Sequence, residues 1–343
     1  MIMQQSTPDL TPGIVFELMI GPIRHAVLGN ALKMNMAEIL SDNLAPKAIA
    51  KALNVETDET NLIYFLDAMT SMGFAKKKDG TYSNTDFAES YMRKDSPTYL
   101  GGLVENLTRM QHRNLNRIPE LIRQGPPEIE QQDRLEKEAL WKKSVYHLAS
   151  YHKAGMADCV ANLVSSLPEF STMQCMLDLG CGPGIMCMTI VQRHPSLKGV
   201  LCDLPAVMEV ARKEIAGYKL QSRVTTIDGD YNEVDFGTGY DLIWASHTLY
   251  YARDLEALLK RAHEALNPGG VFISFHEGLT CEHTQPTGVI LSRLSLALEG
   301  QDVSFEQGEI ASHLLNVGFS SIEVQTQELP MGPMELIIAR KRK

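Results

Sequence analysis

Asp178-Leu179-Gly180-Cys181-Gly182-Pro183-Gly184 sets a carboxylate and three glycines between two apolar runs, Cys175 to Leu179 and the stretch from Ile185. The order reads as strand, tight loop, helix. Glycines let such a loop turn sharply and let its backbone approach a ligand. The free N–H groups that open the following helix suit a carboxylate. Two more acids fall at matching places. Asp203 ends the run Val200 to Asp203 and can accept from both hydroxyls of a ribose. Asp230, in Asp228-Gly229-Asp230, follows the run Val224 to Ile227 and can accept from an adenine amino group. A dinucleotide site prefers GxGxxG, but Ile185 follows Gly184 directly. A carboxylate at 178 would also repel pyrophosphate, whereas it suits a cationic amino group and a sulfonium. Together these features predict S-adenosyl-L-methionine (SAM) as cofactor, held by Asp178, Gly180, Gly182, Gly184, Asp203 and Asp230.

The elements that must position these residues are strands alternating with helices. Strands are expected at 175–179, 200–203, 224–227, 240–246 and 270–275, with helices at 185–193, 205–216 and 255–266. Such alternation implies a parallel sheet with right-handed crossovers. Ile322 to Gln327 and Glu335 to Arg340 are separated by a link too short for a crossover, so they should pair antiparallel. The expected class is α/β, with a Rossmann-like sheet of seven strands whose last strand is antiparallel.

The first third differs. Gly13 to Leu40 has helical spacing through Val15, Leu18, Met19, Ile23, Val27 and Leu28, and helices follow at 45–53 and 58–72. Gly73 to Lys78, Asp79-Gly80 and Thr81 to Ser83 read as a hairpin. Three helices and a hairpin is the order of a winged helix. Its would-be reader helix opens Glu56-Thr57-Asp58-Glu59, and acids there repel phosphates. Residues 98–166 read as mostly helical, broken at Gly125-Pro126-Pro127 and followed by a charged stretch, Glu128 to Lys143. The expected division is therefore 1–97 winged helix, 98–170 helical connector and 171–343 catalytic domain.

The net charge of -10 disfavours nucleic acid and anionic membrane. No apolar run approaches the roughly 18 residues of a membrane span. Met1 to Thr11 lacks the basic-then-apolar order of a signal peptide. The six scattered cysteines form no CxxC pair, which suits a reduced, cytoplasmic protein. No metal site is expected. The 17 methionines are core filler or line an adaptable apolar pocket.

With these residues in view, the sequence resembles class I SAM-dependent methyltransferases. More closely, it is similar to the small-molecule O-methyltransferase family that includes caffeate and acetylserotonin methyltransferases. The likeness runs through Ala37 to Leu40, Ile49 to Leu53 and Gly80 to Thr85, then Asp178 to Gly184, Asp203-Leu204-Pro205, Gly229-Asp230 and Leu266 to Gly270. Asp203-Leu204-Pro205 is the discriminating part. The resemblance implies a winged helix that serves a homodimer and a pocket between the sheet and the connector. It implies SAM contacts from Asp178, Gly180, Gly182, Asp203, Leu204 and Asp230, with Tyr231 and Ser246 flanking the adenosine. His147, His152 and Met156 of the connector would then face a small-molecule substrate.

One departure matters. In the family a His shortly after the fourth strand is the general base. Here Ser246-His247-Thr248-Leu249-Tyr250-Tyr251 puts Tyr250 in that slot. Three readings stay open. Another His takes the proton: His247, His276 beside Glu277, or His147 and His152. Alternatively the acceptor arrives as a nucleophile, such as a thiolate or an activated carbon. In the third reading Tyr250 hydrogen-bonds the substrate and no protein base is used. The expected activity is SAM-dependent methylation of a small, partly apolar molecule at oxygen, with sulfur or carbon as alternatives. A SAM-binding winged-helix regulator is the reading from a different class. Trp244 is expected in the core.

Overall fold

The computed structural model describes residues 13–127, 133–301, 304–329 and 332–343, with backbone alone for 133–141. The leader reading of Met1 to Thr11 lies outside the described residues, as does the start of the charged stretch Glu128 to Lys143. By its contacts the chain divides into Met1–Glu105 and Asn106–Lys343. Most of the expected connector falls within the second unit.

The first unit contains helices α1 (Gly13–Lys33), α2 (Met36–Ile39), α3 (Pro46–Ala52) and α4 (Thr60–Ser71), then strands β1 (Ala75–Lys78) and β2 (Thr81–Asn84). The single helix expected to reach Leu40 breaks at Asn35, whose φ of 54° is left-handed, a conformation Asn tolerates. Asp79 and Gly80 both take positive φ, as a two-residue hairpin turn requires. The α4 face Leu62, Leu66 and Met69 packs with Ile49 and Tyr82 in the core of this unit. Along α1, by contrast, Phe16, Leu18, Met19 and Ile23 are 62–72% exposed.

The second unit is built on α5 (Asp133–Tyr151), α6 (Ala157–Ser165), β3 (Cys175–Leu179), α7 (Ile185–Gln192), β4 (Lys198–Asp203), α8 (Pro205–Tyr218) and β5 (Val224–Asp228). It continues through β6 (Tyr240–Ser246), α9 (Leu255–Ala265), β7 (Leu266–His276), α10 (Thr287–Ala297), β8 (Ser321–Leu329) and β9 (Gly332–Arg340). The seven-stranded sheet has the order β8-β9-β7-β6-β3-β4-β5. β9 is antiparallel to both neighbours, and the other pairings are parallel. Period-two alternation sends Met176 and Trp244 to one buried face with α6 and α7, and Leu177 and Ile243 to the other with α9. Burial on both faces explains why these strands read as continuous apolar runs. The strand order reverses at β3, which lies between β4 and β6, so the ligand crevice belongs at its carboxyl end. Between α5 and α6 the chain makes a π-helical segment, His152–Met156, in which Gly155 has φ 118°.

Candidate active site

A cavity of about 390 Å³ opens where β3, β4, β5 and β6 end. Gly180 and Gly182 line it at φ 67° and 54°. A Cβ on Gly180 would stand 2.0 Å from Thr248 Oγ1, so this approach admits only glycine. Gly184 is not in the wall. It opens α7 with φ 72°, and a Cβ there would strike Leu201 of β4 at 2.5 Å. Gly184 thus stands back from the cavity as a close-packing position between helix and strand.

The acids differ in how they are held. Asp203 Oδ2 accepts from the Gly182 N–H at 2.8 Å, and Oδ1 from the Leu204 N–H at 2.7 Å. Burial lifts its pKa to about 6, held back by those two donors. Asp178 sits in register with Leu201 on β4 and Trp244 on β6 and is 3% exposed. Its Oδ2 has no hydrogen-bond partner in the protein. Burial, and then the charge of Asp203, raise Asp178 to about 8. Asp230 lines the cavity, but its carboxylate is already engaged. Oδ1 accepts from the backbone and side chain of Asn232, and Oδ2 pairs with Arg253 at 2.8 Å. The Tyr231 hydroxyl donates to Thr248 O at 2.8 Å, and Leu204 and Ser246 complete this side of the wall.

These groups fit the expected cofactor. A buried carboxylate oxygen without a donor suits a cation, and SAM carries two, an ammonium and a sulfonium. The Asp203 carboxylate, fixed by two backbone donors, has lone pairs left for hydroxyls.

The histidines separate clearly. His247 lines the cavity in a left-handed conformation, φ 52°. Its Nδ1 is 2.9 Å from Ser246 Oγ, and its Nε2 is 3.8 Å from Glu277 Oε1. Burial lowers its pKa, Glu277 opposes this, and Arg293 adds to it. His276 lies outside the cavity wall and is 1% exposed. Its Nε2 accepts from the N–H groups of Thr248 and Leu249, both at 3.0 Å, and its Nδ1 is 2.9 Å from Ser274 Oγ. A ring with both nitrogens engaged in the interior shapes the β6 loop and has no path to a substrate. That corrects the expectation of His276 as a base. Glu277 also stands behind the wall, paired with Arg293 at 2.6 Å. Burial alone would raise its pKa, but His247 and Arg293 outweigh that and lower it.

Tyr250 is corrected too. It is not in the wall; its ring packs on Tyr251, His276 and Phe305, and Tyr251 reaches the cavity instead. Of the connector residues, His152 and Met156 line the cavity. His147 does not, and its ring meets Tyr146 edge-on. His152 is 9% exposed, its Nδ1 has no hydrogen-bond partner, and burial lowers its pKa to about 3. Trp244, expected as core, is buried yet also lines the cavity, with Nε1 unpaired. Alternation along β6 carries the missing signal, because it sets Trp244 on the same face as Asp178. Among the described residues no cluster of His, Cys, Asp or Glu is arranged to hold a metal, and no helix is long and apolar enough to cross a membrane.

A family model described as a methyltransferase domain matches residues 177–272. A 3-hydroxy-5-methyl-1-naphthoate 3-O-methyltransferase of Streptomyces sahachiroi is 23% identical, over 91% of this chain and 90% of that protein. An N,N-dimethyltransferase, OxyT, of Streptomyces rimosus is 22% identical over 92% of each. Human N-acetylserotonin methyltransferase, solved in complex with SAM, has the same fold: TM-score 0.77 at 18% identity, over 99% of this chain and 100% of that one.

Proposed function

We propose that this chain, a SAM-dependent methyltransferase that resembles the small-molecule O-methyltransferases over most of its length, methylates a small, partly apolar acceptor at oxygen. One observation carries this reading. Asp178 Oδ2, His152 Nδ1 and Trp244 Nε1 are buried, lack partners in the protein, and belong to residues of one cavity wall. Folded proteins seldom leave such atoms unpaired, and three of them on one cavity wall suit a bound ligand. The surrounding wall, with Val145, Leu148, Met156, Met186 and Leu329, is apolar enough for a flat or greasy acceptor.

SAM supplies an already activated methyl group on a sulfonium. Asp178 would face its cationic end and Asp203 its ribose, with Gly180 and Gly182 allowing close approach. Leu204, Tyr231 and Ser246 would flank the adenosine. Asp230, engaged by Asn232 and Arg253, would contribute only with its remaining lone pairs. His247, whose pKa burial and Arg293 lower against the pull of Glu277, would take the acceptor's proton, and Glu277 would stabilise the imidazolium from 3.8 Å. His152 and Met156 would orient the acceptor. A homodimer through the N-terminal unit is supported by the exposed apolar stretch of α1.

The test is turnover of SAM with hydroxynaphthoates, the acceptor class in the printed name of one relative, beside thiols and amines, followed by NMR of the product. A methoxy signal, with turnover falling at least about tenfold in His247→Ala, is expected. Absence of saturable SAM binding, or methyl found only on nitrogen or sulfur, would sink the oxygen reading. Full turnover in His247→Ala would favour an acceptor that arrives as a nucleophile.

A further inference from the structure

We propose that Arg293 is a positioning residue: by holding the Glu277 carboxylate it keeps His247 uncharged and able to take a proton. The inference rests on the reading of His247 as the base. Arg293 lies on α10 and is not part of the cavity wall. Its Nη2 donates to Glu277 Oε2 at 2.6 Å, and its Nη1 to Ser304 Oγ at 3.0 Å. The guanidinium carbon stands 5.3 Å from the centroid of the Tyr250 ring. The two side chains are 12% and 13% exposed, so water screens the pair little.

Glu277 has two oxygens and two basic neighbours. Oε2 meets Arg293, and Oε1 is 3.8 Å from His247 Nε2. Arginine is always charged and takes the carboxylate outright. The other groups that bear on His247 come from three elements. His152 acts from the π-helical segment, His276 stacks from β7 with ring centroids 6.0 Å apart, and Arg293 acts from α10. Burial lowers both of those histidines, so neither ring adds a positive charge beside His247. Among the described residues Glu277 is the anion that favours a charged His247, and Arg293 offsets it. Without Arg293 the buried carboxylate would turn to His247 for its counter-charge. An imidazolium cannot accept the acceptor's proton.

The experiment is a histidine NMR titration of the full chain, with the His247 signal identified by its loss in His247→Gln. Arg293→Gln should raise the apparent His247 pKa by about one pH unit or more, a tenfold change in proton affinity. Arg293→Lys should stay near the wild type. Adding Glu277→Gln to Arg293→Gln should return the value to the wild type or below. An unchanged or lower His247 pKa in Arg293→Gln would overturn the proposal. Should that variant not fold, Glu277→Gln alone serves: with Arg293 kept, the His247 pKa should fall, and no change would overturn the proposal equally. The acid limb of turnover against pH is read separately. If the NMR shift occurs and the rate ignores it, the base assignment fails while the role of Arg293 stands.

Discussion

Asp178 is unusual because its charge is costly until something cationic meets it. With a pKa of about 8, it is roughly one-tenth ionised at pH 7 and one-hundredth at pH 6. A cationic ligand selects the ionised form. SAM affinity should therefore rise close to tenfold between pH 6 and 7, with nearly one proton released on binding at pH 7. Calorimetry in buffers of different ionisation enthalpy reads that proton, and a slope of zero in the wild type would refute the assignment. Asp178→Asn should abolish it. The folded-state pKa lies above the unfolded one, so this group's contribution to stability without SAM is greatest at acid pH and is lost as pH rises towards about 8. His276 gives the contrasting case. His276→Ala leaves two buried N–H groups unpaired, at Thr248 and Leu249, at about 1–3 kcal/mol each. It should lower Tm, as a melt would show, while the acid limb of turnover keeps its midpoint. A shifted midpoint would restore His276 as the base. Residue types pointed to Asp178, Asp203 and His247, each at or beside a strand end, and all three line the cavity. They could not separate His247 from His276. Both flank strand ends, and only the long-range bonds from Thr248 and Leu249 show which one faces inward.

At the scale of elements, the sheet was legible because its inner strands, β3, β6 and β7, are buried apolar runs with a turn or helix signal beside them. The short link before Glu335 likewise placed β9 antiparallel. The π-helical segment was not legible. His152 to Met156 has ordinary helical composition, and only Gly155 hints at a break. The segment turns both His152 and Met156 to the cavity, an arrangement common at functional sites. Gly155 needs no room for its missing side chain, since nothing lies within 4 Å of a Cβ there. What it supplies is φ 118°, which other residues rarely adopt. Gly155→Ala should therefore cost about 1–3 kcal/mol through backbone strain. If the segment relaxes toward a regular helix, His152 and Met156 shift. The expected signature is a lower Tm and a raised KM for the acceptor, with SAM affinity unchanged because none of the residues proposed to hold SAM lies on this segment. Equal losses for acceptor and SAM would mean that the segment supports the whole cavity.

At the scale of the whole molecule, the question is what covers α1. Phe16, Leu18, Met19 and Ile23, exposed on one helix of a chain with net charge -10, offer a partner an apolar surface. Burying such a side chain fully is worth about 1.5–3 kcal/mol. Four of them on each of two copies supply a driving force large enough to offset the cost of association. The acidic opening of the expected reader helix, Glu56 to Glu59, argues that the unit serves protein contact and not DNA. The wild type should therefore sediment as a dimer at micromolar concentration. Leu18→Glu with Met19→Glu should sediment as a monomer, because each copy would bury two carboxylates against the apolar surface of the other. Their circular dichroism should match the wild type, since neither side chain belongs to the core of Ile49, Leu66 and Tyr82. A wild-type monomer, or a double variant that still dimerises, would remove α1 from the interface.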